Sequence, residues 1–245
     1  MRMKMRILLT NDDGFYARGL QTLWQVLAED ETFDVSTVAP ENQKSATGHS
    51  ITLNEPIFVT EQQKKGHKGF AVRGNPADCV KLALQGELIP RPDLVISGIN
   101  NGPNLGTDVF YSGTVSAAME GVLLGIPSIA VSLAGYNGDD YEDAARFVHH
   151  FLKQNNFIEG GLLNINIPPL PANEWKGVKF TKLGKAVYNN VFEHRLDPRG
   201  RSYFWQAGSL APETDPETDL YALQQEYVSI TPMHSDLTDY RKLKI

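Results

Sequence analysis

The chain has 245 residues, 41% hydrophobic and 21% charged, the make-up of a folded protein of one large domain, or one domain with an appendage. A formal net charge of −6 argues against a nucleic-acid polymer or a membrane surface as partner. The single cysteine, Cys79, excludes an internal disulfide and fits a reducing compartment. The start, "MRMKMRILLT", is basic and then apolar like a secretory leader, but the apolar run meets two acids after Thr10 and is too short for one. No run reaches the ~18 apolar residues of a membrane span. A cytoplasmic protein is expected.

"MRILLT" (5–10) reads as a buried strand. "GLQTLWQVLAED" follows as a helix, with Leu20, Leu23, Trp24 and Leu27 on one face. "FDVSTVAP" (33–40) is a second strand, and "PADCVKLALQGEL" (76–88) a helix opened by Pro76. "PDLVISGIN" (92–100) is apolar without alternation, as in a sheet covered on both faces. The small-residue helix "GTVSAAMEGVLLG" (113–125), the strand "PSIAVSL" (127–133), the helix "YEDAARFVHHFLKQN" (141–155) and the strand "GLLNINIP" (161–168) continue the pattern. Alternating strands and helices predict an α/β, doubly wound and mostly parallel sheet over residues 1–171. Beyond it, 178–183, 202–207 and 226–231 read as strands without intervening helices. Residues 172–245 are therefore expected to be a β-hairpin extension that packs partly on the same core and meets another subunit.

In such a sheet, ligands bind beyond the carboxyl ends of the strands. There Asn11-Asp12-Asp13-Gly14 ends the first strand, "APENQKSATGHS" the second, and "GINNGPNLGTD" the strand at 92–100. Adjacent Asp12 and Asp13 share a target only if the backbone turns, which Gly14 permits. Asp-Asp-Gly is also ordinary turn chemistry, but at the end of a first parallel strand the two carboxylates suit a hard cation such as Mg²⁺ or Mn²⁺. Ser45 or Ser50 can add a neutral oxygen, and Asn100 a carbonyl oxygen. Ser112, Gly113 and Thr114 open the helix at 113, whose free N–H groups suit an anion, although capping alone explains one of them. No Gly-x-Gly-x-x-Gly follows the first strand and no Walker A sequence occurs, which argues against a standard dinucleotide fold or a P-loop. The acids lack the Asp-x-Asp spacing of aspartyl-phosphate phosphatases. His149 and His150 read as a helix face, Cys79 as a small core residue, and His49 as a solvated loop histidine.

"ILLTNDDG", "VAPENQKSATGHSIT", "GNPADCVKLAL", "PDLVISGINNGPNLGTDVFYSGTVSAAMEG", "DPRGRSYFW" and "EYVSITPMHSDLT" occur in the order found in the SurE family, and together the chain resembles that family over nearly its whole length. These are stationary-phase survival proteins, 5′-nucleotidases of bacteria and archaea. The resemblance implies a Rossmann-like domain with a C-terminal extension exchanged between subunits of a dimer or tetramer. It also implies a metal-dependent phosphomonoesterase acting on nucleoside 5′-monophosphates and on short-chain polyphosphate. Its metal ligands fall on Asp12, Asp13, Ser45 and Asn100, and its phosphate-contacting segment on Ser112, Gly113 and Thr114. Two positions depart from the family pattern: Ala46 where glycine is frequent, and Asn75 where threonine is common. Neither removes a ligand.

A cation so held would polarise a phosphate oxygen and activate a water for in-line attack, with Asp13 as candidate acceptor of its proton. No Ser, Cys or His in these motifs has a clear base partner, so no covalent intermediate is expected. Two other readings remain open on the residues: a nucleotide sensor without turnover, and a metal-dependent glycosyl- or phosphotransferase.

Overall fold

Apolar residues on both sides of β1 (Met5–Thr10) decide the architecture. Side chains alternate across a strand, so Ile7 and Leu9 point to one face and Leu8 to the other, and all three are buried. The first face packs against α1 (Arg18–Ala28) and α4 (Glu142–Gln154); the second against α2 (Pro76–Gln85) and α3 (Gly113–Leu123). The computed structural model describes residues 4–64, 66–135, 140–154, 161–189 and 191–243. The basic residues 1–3 and the last residue of the helix expected over 141–155 lie outside them.

β1 pairs in parallel with β2 (Phe33–Pro40) on one side and β5 (Leu94–Asn101) on the other. β6 (Ser128–Leu133) and β7 (Leu162–Ile167) continue outward from β5 in parallel. The order is β3 (Phe58–Lys64), β4 (His67–Arg73), β2, β1, β5, β6, β7, β13 (Val228–Met233) and β8 (Val178–Phe180), nine strands in one sheet. The chain winds one way from β1 to β2 and the other way to β5, so the switch point lies beside β1, where a doubly wound sheet opens its ligand crevice.

Two findings correct the sequence expectation. Strands and helices do not alternate throughout: β3 (Phe58–Lys64) and β4 (His67–Arg73) form an antiparallel pair at the edge beyond β2. β3 reads "FVTEQQK" because one side of it is solvent, and it lacks the apolar run of a central strand. The tail is not free of helix either. After β8 (Val178–Phe180), β9 (Tyr188–Asn189), β10 (Phe192–Leu196), β11 (Ser202–Gln206) and β12 (Ser209–Leu210) comes the short α5 (Asp219–Gln224). β13 (Val228–Met233) then enters the main sheet between β7, antiparallel, and β8, parallel. Thr218 caps α5 by accepting from the Tyr221 N–H. β10 and β11 form the expected hairpin, and Phe192, Leu196, Phe204 and Trp205 on it are exposed. Among the described residues, no helix is long and apolar enough to cross a membrane.

Candidate functional site

The turn after β1 is built by Asn11. Its buried amide donates to the Gly14 carbonyl (3.0 Å) and its oxygen accepts from the Gly14 N–H (3.1 Å). Gly14 sits at φ 103°, where a side chain is strained, so the glycine is what allows the chain to turn. This turn releases Asp12 and Asp13 from the opposite facing that a continued strand would impose.

Asp12 lies against the start of α3. Thr114 Oγ1 donates to Asp12 Oδ1 at 2.5 Å, and the Thr114 N–H also favours the charged carboxylate. Gly113 leaves the necessary space, since a Cβ there would stand 2.7 Å from Asp12 Cβ. Ser112 caps α3, its Oγ accepting from the Val115 N–H at 3.0 Å. The positive end of α3 therefore already faces one anion, the Asp12 carboxylate. Burial still pushes the Asp12 carboxyl up to about 6; the Thr114 bond lowers it and the charge of Asp13 raises it again. Asp13 is also raised by burial, against the N–H of Asn101 and the amide of Gln43.

The loop after β2 closes over the pair. The Lys44 N–H donates to the Asp12 carbonyl at 2.7 Å. Gln43 Nε2 donates to Ser45 Oγ (2.9 Å) and reaches Asp13 Oδ1 (3.4 Å), bridging the second carboxylate to the serine. Ala46 adopts φ 56°, a left-handed conformation that costs an alanine roughly 1–2 kcal/mol relative to the favoured region. This is the position where the resemblance leads one to expect glycine. Asn75, the other departure, caps α2, with its N–H donating to Asp78 Oδ2 at 2.8 Å. Asn and Thr are both capping residues, so that exchange keeps the function of the position.

β5 carries Asn100 through a register shift between Ser97 and Asn100. Gly98 there has φ 146°, and a Cβ would stand 2.4 Å from the Val131 carbonyl oxygen. Asn100 Nδ2 donates to the Gly102 carbonyl at 2.8 Å, fixing which end of the amide is engaged, and the Asn101 N–H donates to Asp13 Oδ2 at 3.1 Å. Asn104 anchors the following loop to Ser132, Asn164 and Asn166.

Asp12, Ser45, Asn100 and Ser112 line one open cavity of about 920 Å³. Phe110, Tyr111 and Tyr188, with Gln206 from the hairpin, also line it. The hydroxyl of Tyr188 donates to Asp108. Buried Asp219, at the start of α5, accepts from the Gly106 N–H and the Gly184 N–H, both at 2.8 Å, and so fastens the loop after β5 to the extension. A second cavity of about 1010 Å³ shares Phe110 with the first and has His49 in its wall, but none of the four residues just named.

Of the two serines left open by the sequence, Ser45 lines the site cavity and Ser50 is not among its walls. The Thr114 hydroxyl, expected beside a phosphate, is buried on Asp12. His49 is not merely solvated: its Nε2 lies 2.7 Å from Glu120 Oε2. His149 pairs with Asp30 at 2.9 Å, and Cys79 is a buried core residue, as its helical setting implies. Gln43 and Asp219 escaped the sequence reading; an amide two residues before Ser45 was the available sign of the first, and nothing local marks the second.

Asp12 and Asp13, the Ser45 hydroxyl and the Asn100 carbonyl make an all-oxygen donor set, which suits Mg²⁺ or Mn²⁺ rather than a thiophilic metal. Two neighbouring carboxylates, each raised by burial, are the electrostatic strain that a cation relieves. Among the described residues there is no cluster of three or more His, Cys, Asp or Glu side chains, so neutral oxygens would have to complete the coordination.

Comparison with known proteins gives the family and the fold. A family model described as Survival protein SurE matches residues 7–190. The 5′-nucleotidase SurE of Desulfitobacterium hafniense is 69% identical over 240 residues, covering 98% of this chain and 95% of that protein. The 5′-nucleotidase SurE of Natranaerobius thermophilus is 48% identical over 246 residues, covering 96% and 95%. The crystal structure of the SurE protein from Aquifex aeolicus superposes with a TM-score of 0.83 at 40% identity, covering 98% of this chain and 97% of that one.

Proposed function

The chain belongs to the SurE family, and on that premise we propose that it is a 5′-nucleotidase, hydrolysing nucleoside 5′-monophosphates to nucleoside and phosphate with one divalent cation, Mg²⁺ or Mn²⁺, per subunit. The observation that carries this reading is the convergence of Asp12, Ser45, Asn100 and Ser112 on one cavity, with Asp13 bridged to Ser45 through Gln43. The names of the relatives support the substrate class.

Asp12, Asp13, Ser45 and Asn100 would hold the cation. When bound, it supplies charge for a phosphate oxygen and makes a water easier to deprotonate. The Ser112–Thr114 segment steadies the phosphate at the start of α3, Thr114 acting through Asp12 and the backbone of the helix end acting on the anion. Water attacks phosphorus in line with the ester oxygen, Asp13 takes a proton from the water, the bond from phosphorus to the nucleoside oxygen breaks, and the departing oxygen regains a proton by way of solvent to leave as the nucleoside hydroxyl. Phe110, Tyr111 and Tyr188, which line the same cavity, offer aromatic faces for a base. Short-chain polyphosphate is a second substrate under this proposal, since it presents the same terminal phosphate.

The test is phosphate release from a panel of nucleoside monophosphates and from tripolyphosphate, with Mn²⁺, Mg²⁺ or EDTA, on wild type and Asp12→Asn. Metal-dependent release that the substitution abolishes supports the proposal. Nucleotides that bind and stay intact with either metal would point to a sensor. We also propose a dimer or tetramer held through the extension, supported by the exposed apolar side chains of the β10–β11 hairpin. A monomer in light scattering at micromolar concentration would refute it.

A further inference from the structure

Glu120 is a buried carboxylate that the proposed chemistry does not use. It lies on α3, 5% exposed, and a lysine and a histidine from different parts of the chain meet it. Lys81 Nζ from α2 is 3.2 Å from Oε1, and His49 Nε2 from the loop after β2 is 2.7 Å from Oε2. Burial penalises the charge of Glu120, but these two partners outweigh it and hold its carboxyl below the usual range. A paired buried carboxylate of this kind specifies geometry rather than adding much stability.

The geometry is that of the loop carrying Ser45. The loop is fastened at its start by the Lys44 N–H on the Asp12 carbonyl and in the middle by the Gly48 N–H on the Tyr111 carbonyl (3.0 Å). At its far end Thr52 donates through N–H and Oγ1 to Asp78, at 2.9 and 2.7 Å. Of these fastenings, only His49–Glu120 joins the loop side chain to side chain with α3, the helix on whose first turn Asp12 rests. The loop also separates the two cavities, Ser45 facing the site and His49 the other. Left-handed Ala46 lies between them, so this segment is held against its own backbone preference.

We propose that His49 is a positioning residue: by bonding Glu120 it registers Ser45 against Asp12 and thereby tightens cation binding. The inference rests on the metal-dependent reading above. Partners that orient a ligand are typically worth 10–100-fold in metal affinity.

The experiment is direct Mn²⁺ titration by calorimetry on wild type, His49→Ala, His49→Gln and Lys81→Met, with thermal unfolding and nucleotide hydrolysis in parallel. His49→Ala should weaken Mn²⁺ binding by about 10-fold or more, and saturating Mn²⁺ should return kcat to within about 2-fold of wild type. His49→Gln keeps a donor toward Glu120 and should recover most of the affinity. Lys81→Met removes the other bond to Glu120 without touching the loop, and should leave the Mn²⁺ affinity within about 2-fold of wild type. Unchanged Mn²⁺ affinity in folded His49→Ala would overturn the proposal. So would an equal loss in Lys81→Met, which would mean general loosening around Glu120. Should His49→Ala not fold, His49→Gln decides: an affinity as weak as that of a folded loop lacking any donor, read from His49→Leu, overturns the proposal. A wild type that binds no Mn²⁺ would remove the metal-dependent reading itself, a failure visible before any variant is compared.

Discussion

Replacing Gly113 by alanine tests the site with one methyl group. A Cβ there would lie 2.7 Å from Asp12 Cβ and 2.9 Å from Asp12 Oδ2. Ordinary contact begins at 3.4 Å, so Asp12 must retreat by about 0.7 Å. Its carboxylate cannot do so while keeping the 2.5 Å bond from Thr114. The position is the first residue of α3 and alanine suits a helix better than glycine by roughly 0.5–1 kcal/mol, which offsets part of an overpacking cost of about 1–3 kcal/mol. Folding stability should therefore fall by no more than about 2.5 kcal/mol. A displacement near 1 Å of a reacting group costs about 100-fold in rate, or about 2.7 kcal/mol of transition-state stabilisation. The assay is steady-state phosphate release at saturating Mn²⁺, well below the unfolding temperature of the variant. A folded Gly113→Ala retaining more than about half of the wild-type kcat/KM would refute the assignment of Asp12 to the chemistry.

Three further outcomes are expected. Gly121→Ala, on the same helix, would bring a Cβ to 2.4 Å from Ser128 Oγ and should lower the unfolding temperature while leaving kcat/KM within about 2-fold, as measured below the transition. Asp219→Ala strands the N–H groups of Gly106 and Gly184, each costing about 1–3 kcal/mol, and should lower urea stability and raise KM; unchanged KM would show that the cavity wall does not depend on this fastening. His67, buried between Phe15 and Trp24, is pushed down to about 4 by burial. The fold therefore holds it neutral, so its stabilising contribution is present above the unfolded value near 6.5 and is lost as pH falls from there toward 4, by up to about 3 kcal/mol. Urea midpoints between pH 7 and 4 should fall more steeply for wild type than for His67→Gln, and parallel curves would sink the assignment.

The central sheet was legible because strands buried on both faces need continuous apolar runs, and "ILLT" and "LVISGI" have no competing pattern. Asp12 and Asn100 were legible as candidates because loops that follow neighbouring parallel strands must meet at one edge, whereas only the resemblance set Ser45 apart from Ser50. What the sequence hid was contact across long separations. Nothing near Asp219 says that its carboxylate reaches Gly106, 113 residues away. His49 read as a solvated loop residue because its partner is 71 positions on, and Thr114 read as a phosphate contact because its bond to Asp12 spans 102. β3 was missed for the opposite reason, since an edge strand with one solvated side carries little apolar signal of its own.

The fastening through Asp219 also bears on when the site comes into being. The turn with both aspartates, the serine loop and the asparagine strand all emerge in the first 101 residues made. Tyr188 and Gln206, which line the same cavity, and Asp219, which ties the loop after β5 to residue 184, follow only from residue 188 onward. β13, the final strand of the main sheet, is laid between β7 and β8 later still. A growing chain thus carries Asp12 and Asp13 long before it has the whole cavity beside them, and a product cut short before 219 would keep the acids yet lack the clasp on the loop after β5. In this fold, the carboxyl-terminal tail is the part that finishes the site.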